Sequence, residues 1–237
     1  MMPARREPRV GFVTIGQSPR VDVVPQMMAD LRMPVAAEEF GILDALDAAG
    51  IAAMAPGAGE YRFATRMRDG SQAVIGKPVA QARLARLLQS LDDGRFDVLV
   101  PLCTGTALPP LNTLVVEPQQ VVDHLTVALA SGCRRLGIVL PLEAQVKDFH
   151  LIQPVPCELR VTHASPYLDA MSGRFAQAGE ALRGCDLIVM HCMGFTEAMR
   201  LEVARHAQAP VLLSNRMVAT VLAQVLDRTD AARAQAD

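Results

Sequence analysis

The sequence predicts an α/β protein built from two similar parallel-sheet lobes that face each other across a cleft. Three observations carry that prediction. First, one short phrase occurs twice. Asp97-Val98-Leu99-Val100-Pro101-Leu102-Cys103-Thr104-Gly105 and Asp186-Leu187-Ile188-Val189-Met190-His191-Cys192-Met193-Gly194 both run from an aspartate through aliphatic residues to a cysteine and a glycine turn. Second, Arg135-Leu136-Gly137-Ile138-Val139 matches Arg9-Val10-Gly11-Phe12-Val13 position by position. Third, strand and helix signals alternate along the chain, which argues for parallel sheets covered on both faces.

Taken in order, Arg9 to Ile15 is a β-branched strand, and Gly16 to Arg20 is a turn leading to a helix near Asp22. Val35 to Phe40 is a weaker strand, and Gly41 to Ala53 reads as short helical pieces broken at Gly50. Tyr61 to Ile75 alternates apolar residues with Arg62, Arg66 and Arg68 around Asp69-Gly70, the signature of a hairpin with a two-residue turn. Pro78 opens a helix with Val79, Ala82, Leu84, Leu87, Leu88 and Leu91 at helical spacing. The first phrase-strand follows, then a short strand at Thr113 to Val116. Pro118 opens a helix carrying Val121, Val122, Leu125 and Leu129.

The pattern then restarts. Arg135 begins a strand, Leu142 to Leu151 reads as a helix and Leu159 to Ala164 as a strand. A helix over Leu168 to Arg183 precedes the second phrase-strand. Thr196 caps a helix to Ala207, Val211 to Leu213 is a strand, and Ser214-Asn215 leads into a last helix to about Leu226. The polar tail from Arg228 is expected to fray. The expected lobes are 1–131 and 132–237. The first half is longer between its matching anchors, and the region near 41–77, with the arginine hairpin, is the natural insertion.

Composition narrows the function classes. The chain has 237 residues, 51% of them hydrophobic, with a net charge of -2, enough to bury a core and no basic excess for nucleic acid. No apolar run approaches the roughly 20 residues that cross a bilayer. The start shows no secretory signal, and five cysteines then fit a reducing cytoplasm. The five histidines lack metal-ligand spacing, and there is no CxxC, P-loop or GxGxxG, so neither metal nor organic cofactor is expected.

Ligands of open α/β sheets bind at the carboxyl ends of strands, where Cys103 and Cys192 both fall. Two opposed thiols suit removing a proton from one face of a carbon and returning one on the other. A free thiol has a pKa of about 8.5, so thiol and thiolate coexist near neutrality. Helix N-termini beyond each turn would lower the thiolate pKa and offer N–H groups to a carboxylate or enolate. Thr104, Gly105, Thr106 and Gly194 are placed for that role, with Met193 in the same turn. Cysteine is also at home in a buried strand, the reading given to Cys133, Cys157 and Cys185. Ser18 and Arg20 follow the first strand, where an arginine clamps a carboxylate or simply carries surface charge. Thr14 and Gln17 belong to the same neighbourhood. Ser214 and Asn215 end the last strand as site residues or helix caps. Glu117 reads as a helix-start carboxylate, and His191, pointing away from Cys192 by strand alternation, as a core or supporting histidine. The arginine hairpin is a lid, a dimer contact, an anion clamp or a solvated face.

These stretches resemble known proteins. The paired strand-end cysteines in duplicated lobes resemble the aspartate/glutamate/hydantoin racemase superfamily. Val13 to Arg20, Glu39 to Asp44, Ala55 to Tyr61, Leu102 to Gly105, Cys192 to Phe195 and Leu212 to Asn215 together resemble the AroM family, over about Arg9 to Leu226. The resemblance implies two pseudo-symmetric, flavodoxin-like lobes of the racemase type with the site between them. Amino-acid racemases carry Asp-Ser where this chain has Gln17-Ser18, Asn-Thr where it has Thr104-Gly105, and Thr-His where it has Met193-Gly194. Those departures remove groups expected to hold an α-amino group. Both thiols remain. The expectation is a cofactor-independent racemase or isomerase, or a related lyase, acting on a small carboxylate or carbonyl compound through Cys103 and Cys192. The rival is a non-catalytic module that binds or senses a small carboxylate linked to aromatic amino-acid metabolism. A homodimer is expected only from the hairpin.

Overall fold

The computed structural model describes residues 6–168 and 172–227. It contains two four-stranded parallel sheets and one hairpin. In the first sheet β1 (Arg9–Thr14) lies between β2 (Ala36–Gly41) and β5 (Val98–Pro101), with β6 (Leu114–Val115) at the edge. In the second, β7 (Arg135–Leu140) lies between β8 (Glu158–His163) and β9 (Leu187–Met190), with β10 (Val211–Leu213) at the edge. The two strand orders are the same once the hairpin is set aside. In each, the order reverses beside the first strand, the crevice position favoured for ligands.

The repeated aspartate has a structural cause. Asp97 Oδ2 accepts from the Arg9 N–H at 2.8 Å, and Asp186 Oδ2 accepts from the Arg135 N–H at 2.8 Å. Each ties the start of a phrase-strand to the start of its neighbour. From there the central strands run through apolar residues, and β5 is buried throughout.

Alternation distributes those side chains between three cores. Val10 and Phe12 of β1, Val98 and Val100 of β5, and Leu136, Ile138 and Leu140 of β7 face a core shared by both lobes. Helices α1 (Val24–Leu31), α4 (Pro118–Ala130) and α7 (Ser214–Leu226) contribute to it. Val13, Leu99 and Cys103 face an outer core of the first lobe, closed by α3 (Lys77–Leu91) through Ala80, Leu84, Leu88 and Leu91. Ile188 and Met190 face the outer core of the second, under α5 (Arg174–Ala181) and α6 (Glu197–Ala207).

Several expectations change. Gly50 breaks nothing: it lies inside α2 (Ala48–Ala52), where its N–H donates to the Asp47 cap at 2.8 Å. The hairpin of β3 (Arg62–Arg66) and β4 (Gln72–Gly76) turns through Met67 to Ser71 rather than two residues. The Gly70 N–H bonds the Met67 carbonyl, and Gly70 has φ +93, so the loop is a three-residue turn ending in a glycine bulge. Leu142 to Leu151 forms only a short 3-10 turn, Glu143–Gln145. On α4, Leu125 and Leu129 are exposed, while Val122, Asp123, Thr126 and Ala130 turn inward. The helix expected from Leu168 begins at Arg174; residues 169–171, the first five residues and the tail from Arg228 lie outside the described residues. Among the described residues no helix is long and apolar enough to cross a membrane.

The hairpin is not a solvated face. Phe63, Ala64 and Thr65 are buried. The Gln17 N–H reaches the Arg66 carbonyl at 3.1 Å, and Arg68 Nε donates to the Ser18 carbonyl at 2.8 Å. On the other side Gln145 Nε2 donates to the Arg62 carbonyl and Ser165 Oγ to Gln72 Oε1, at 2.8 and 2.7 Å. The hairpin spans both lobes and roofs the cleft.

Candidate active site

A cavity of about 650 Å³ opens between the carboxyl ends of the two sheets, under the hairpin. Cys103, just past β5, and Cys192, just past β9, both line it. So do Thr104, Gly105, Thr106 and Arg20. Thr104 Oγ1 also donates across the cleft to the His191 carbonyl at 3.4 Å.

The two thiols have unequal surroundings. Burial raises both above the ordinary thiol value, contrary to the lowering expected from helix ends. No helix end offsets that burial: no helix follows Cys103 directly, and α6 starts at Glu197, five residues beyond Cys192. At Cys192 the Gly194 N–H, the Arg20 charge and the Tyr167 hydroxyl oppose burial and favour the thiolate. At Cys103 burial is reinforced by the charge of Cys192 and opposed by the charges of Arg20 and Lys77. The pair therefore does not ionise together, and the hydrogen-bond donors stand on the Cys192 side.

Arg20 is not a surface charge. It is 2% exposed, and its Nε and Nη2 donate to the two oxygens of Asp22, each at 2.9 Å. Nη1 donates to Thr14 Oγ1 at 3.0 Å and Nη2 to the Tyr167 hydroxyl at 3.2 Å. A guanidinium has five N–H groups, so one remains for a ligand. Arg20 thus ties Asp22 and Thr14 to the Tyr167 hydroxyl beside Cys192.

Gly194 makes that contact sterically permissible. A Cβ on residue 194 would stand 2.3 Å from the Tyr167 hydroxyl. Gly194→Ala is expected to push Tyr167 away from Cys192, removing one donor to the thiolate. Iodoacetamide labelling of Cys192 should then need a higher pH than in the parent protein, with Cys103 unchanged. An unchanged Cys192 profile would show that Tyr167 does not tune it.

Burial of Cys103 also predicts alkaline instability. Below about pH 9 the thiol is protonated in folded and unfolded chains alike, and its contribution is fully present. Above that pH the unfolded chain loses the proton while the folded chain holds it, so stability falls as pH rises. Cys103 alone sets a slope approaching about 1.4 kcal/mol per pH unit. Urea midpoints at pH 8, 9 and 10 should fall less steeply for Cys103→Ala than for the parent.

Other residues singled out by sequence stand elsewhere. Ser18 is held by Asp44, its N–H and Oγ donating to the two carboxylate oxygens at 2.7 Å each. Gln17 Oε1 accepts from the Arg68 N–H. Both belong to the seat of the hairpin and do not line the cavity. Thr14 Oγ1 is held by Arg20 and the Gly16 N–H. Met193 is 1% exposed in the shared core. Ser214 and Asn215 are buried in the first turn of α7, where Ser214 Oγ donates to the Met190 carbonyl and Asn215 Nδ2 to the carbonyls of Met193 and Phe195. They brace the Cys192 turn from behind.

The cavity also holds groups the pattern reading passed over. Both tyrosines of the chain, Tyr61 and Tyr167, line it, and their scarcity was the one available signal. Burial, with charge from Cys103, Asp148 and Cys192, pushes the Tyr61 phenol up to about 12, so it stays a hydroxyl donor. Lys77 Nζ sits 5.3 Å from the Tyr61 ring centroid. Glu117 makes no cap bond; it lines the cavity, and burial raises its carboxyl. His191 does point away from Cys192, but that side of the sheet is the other wall of the cavity. Its Nε2 lies 2.7 Å from Asp123 Oδ1, on α4 of the other lobe. Among the described residues no group of three or more His, Cys, Asp or Glu is placed to hold a metal ion.

Over residues 10–226 the chain matches the family described as AroM protein. The chain belongs to the AroM family. Among curated proteins no match is found for this AroM chain. Solved structures align along nearly its full length. Glutamate racemase from Thermus thermophilus matches at TM-score 0.58 and 15% identity, over 94% of this chain and 82% of that one. Maleate isomerase from Pseudomonas putida S16 matches at TM-score 0.52 and 13% identity, over 94% of each chain. A double mutant of arylmalonate decarboxylase in its liganded form matches at TM-score 0.51 and 17% identity, over 91% of this chain and 92% of that one. At these identities the shared property is the two-lobed racemase-type fold alone, which the AroM chain adopts.

Proposed function

We propose that this AroM protein is a cofactor-independent racemase- or isomerase-like enzyme that moves a proton at carbon in a small carboxylate or carbonyl compound. One observation carries the reading: a thiol from each sheet lines the same cavity, at equivalent strand ends. Fold neighbours named as a racemase and an isomerase support it. Cys192, with the donors, is the base once ionised. Cys103, held neutral by burial and by the charge opposite, keeps its proton and delivers it to the other face of the carbon. The amides and hydroxyls of Thr104 to Thr106, with Lys77 across the cavity, hold the substrate anion in place of Ser18.

A second reading has its own support. Because burial raises both thiols, neither is expected to be ionised at neutral pH without a ligand, as suits a module that only binds a small carboxylate. One experiment separates the two. The protein is incubated in heavy water with maleate and with a panel of 2-hydroxy, 2-oxo and 2-amino acids, and loss of carbon-bound protons is followed by NMR. Exchange that needs both cysteines supports the enzyme. Thermal stabilisation by a panel member without exchange supports the binder.

A further inference from the structure

Resting on the reading above, we infer that His191 is a third acid/base group of the cavity, with Nδ1 as its reacting atom and an oxygen of the substrate as its partner. In the aligned phrases His191 stands where the first lobe has Leu102. The pseudo-symmetry is broken there by an ionisable side chain at a buried position, 6% exposed.

Its setting orients it. Asp123 is 1% exposed, and burying a carboxylate is costly unless every lone pair finds a donor. Here Oδ1 faces His191 Nε2 at 2.7 Å, while Oδ2 takes the Gln119 side-chain amide and the Ile152 N–H. A carboxylate only accepts, so Nε2 carries the proton and Nδ1 keeps a free lone pair. The edge of Phe149, with ring centroids 5.1 Å apart, restrains the imidazole. Among the described residues Nδ1 has no hydrogen-bond partner and is not sealed from solvent, and His191 lines the cavity. Asp123 is the positioning residue, contributed by the opposite lobe.

This arrangement narrows the substrate to a small carboxylate with a hydroxyl on the reacting carbon. When the thiolate removes the carbon-bound proton, the C–H electron pair moves into the adjacent carboxyl group, whose oxygen gains the charge. Nδ1 takes the hydroxyl proton, the O–H bond breaking and an N–H bond forming, and the imidazolium beside Asp123 passes that proton to the charged carboxyl oxygen. The reverse step retraces the same path, so nothing is oxidised or reduced. A His191–Asp123 contact that merely ties the lobes together needs no accessible Nδ1.

The test uses the intact protein and diethyl pyrocarbonate, which acylates the unprotonated imidazole nitrogen, with peptide mapping and nitrogen-15 NMR of the imidazoles. The expected result is acylation of His191 at a rate comparable with exposed His124, and a tautomer protonated at Nε2. A His191 that stays unreacted until the protein unfolds, or that carries its proton on Nδ1, overturns the inference. With any 2-hydroxy acid that exchanges, His191→Gln should lower kcat about 10²- to 10⁴-fold. Iodoacetamide labelling of Cys192 should not move. Full turnover in His191→Gln would overturn the role of His191 and leave the cysteine pair standing. If no compound exchanges, the enzyme reading fails separately, and acylation with the tautomer still decides the state of His191.

Discussion

Cys103→Ala and Cys192→Ala will each lose about 10²- to 10⁴-fold in exchange turnover, the usual worth of one positioned acid or base. The losses will not add, because removing either group stops the same two-sided transfer. They will also differ in kind. Without Cys192 no thiolate forms beside the Gly194 N–H and Tyr167, so proton removal stops in the direction that begins there. Without Cys103 no acid faces the other side of the carbon, while the groups that favour the Cys192 thiolate, the Gly194 N–H, Arg20 and Tyr167, all remain. Labelling of Cys192 in Cys103→Ala should keep the pH profile of the parent even as turnover falls. Both variants should retain their fold, since each change removes one small side chain. If either keeps full turnover on a compound that exchanges, that cysteine has no essential role.

Asp22→Ala will destabilise the protein by about 3 kcal/mol, the lower part of the range for stripping a buried ion pair of one partner. Arg20 is 2% exposed and its fork is matched to both Asp22 oxygens at 2.9 Å. Without the carboxylate a charged guanidinium stays buried with only Thr14 and Tyr167 as partners. Asp22 itself has 14% side-chain exposure, so water recovers part of the loss. The urea midpoint should fall with an unchanged slope. Replacing both residues together, Arg20→Met with Asp22→Leu, should recover much of the stability but leave Tyr167 without its anchor. A change below about 1 kcal/mol in Asp22→Ala would place this pair among weak surface contacts.

The duplicated architecture was legible because its causes are local and periodic. A buried parallel strand must be apolar on both faces, so β5 and β9 announce themselves, and the aspartate that ties each to its neighbour recurs at the same offset. Cysteine at the end of both strands follows from that register. Thr196 at the start of α6 was equally plain, since a cap is satisfied within one turn of its own helix. Where periodicity misled, tertiary contacts decided the outcome. On α4 the buried face carries Asp123 and Thr126, while Leu125 and Leu129 face outward, because what packs against a helix is chosen by its neighbours.

The remaining features of the site depend on residues far apart in the chain. Arg20 looked like a charge in a turn. It is buried because Asp22 neutralises it and Tyr167, from the second lobe, closes over it. Gln17 and Ser18 looked like site residues but are held by Arg68 and Asp44 at the base of the hairpin. His191 was sent to the correct face by alternation, yet that face became a cavity wall only because α4 of the other lobe places Asp123 opposite. The sign of the thiol shifts was decided in the same way: helix ends near a cysteine can be guessed from spacing, but desolvation depends on everything packed around it, and here burial prevails. Strand, phrase and fold are properties of contiguous residues; burial, charge pairing and the unequal roles of two matching cysteines arise only when the lobes close on each other.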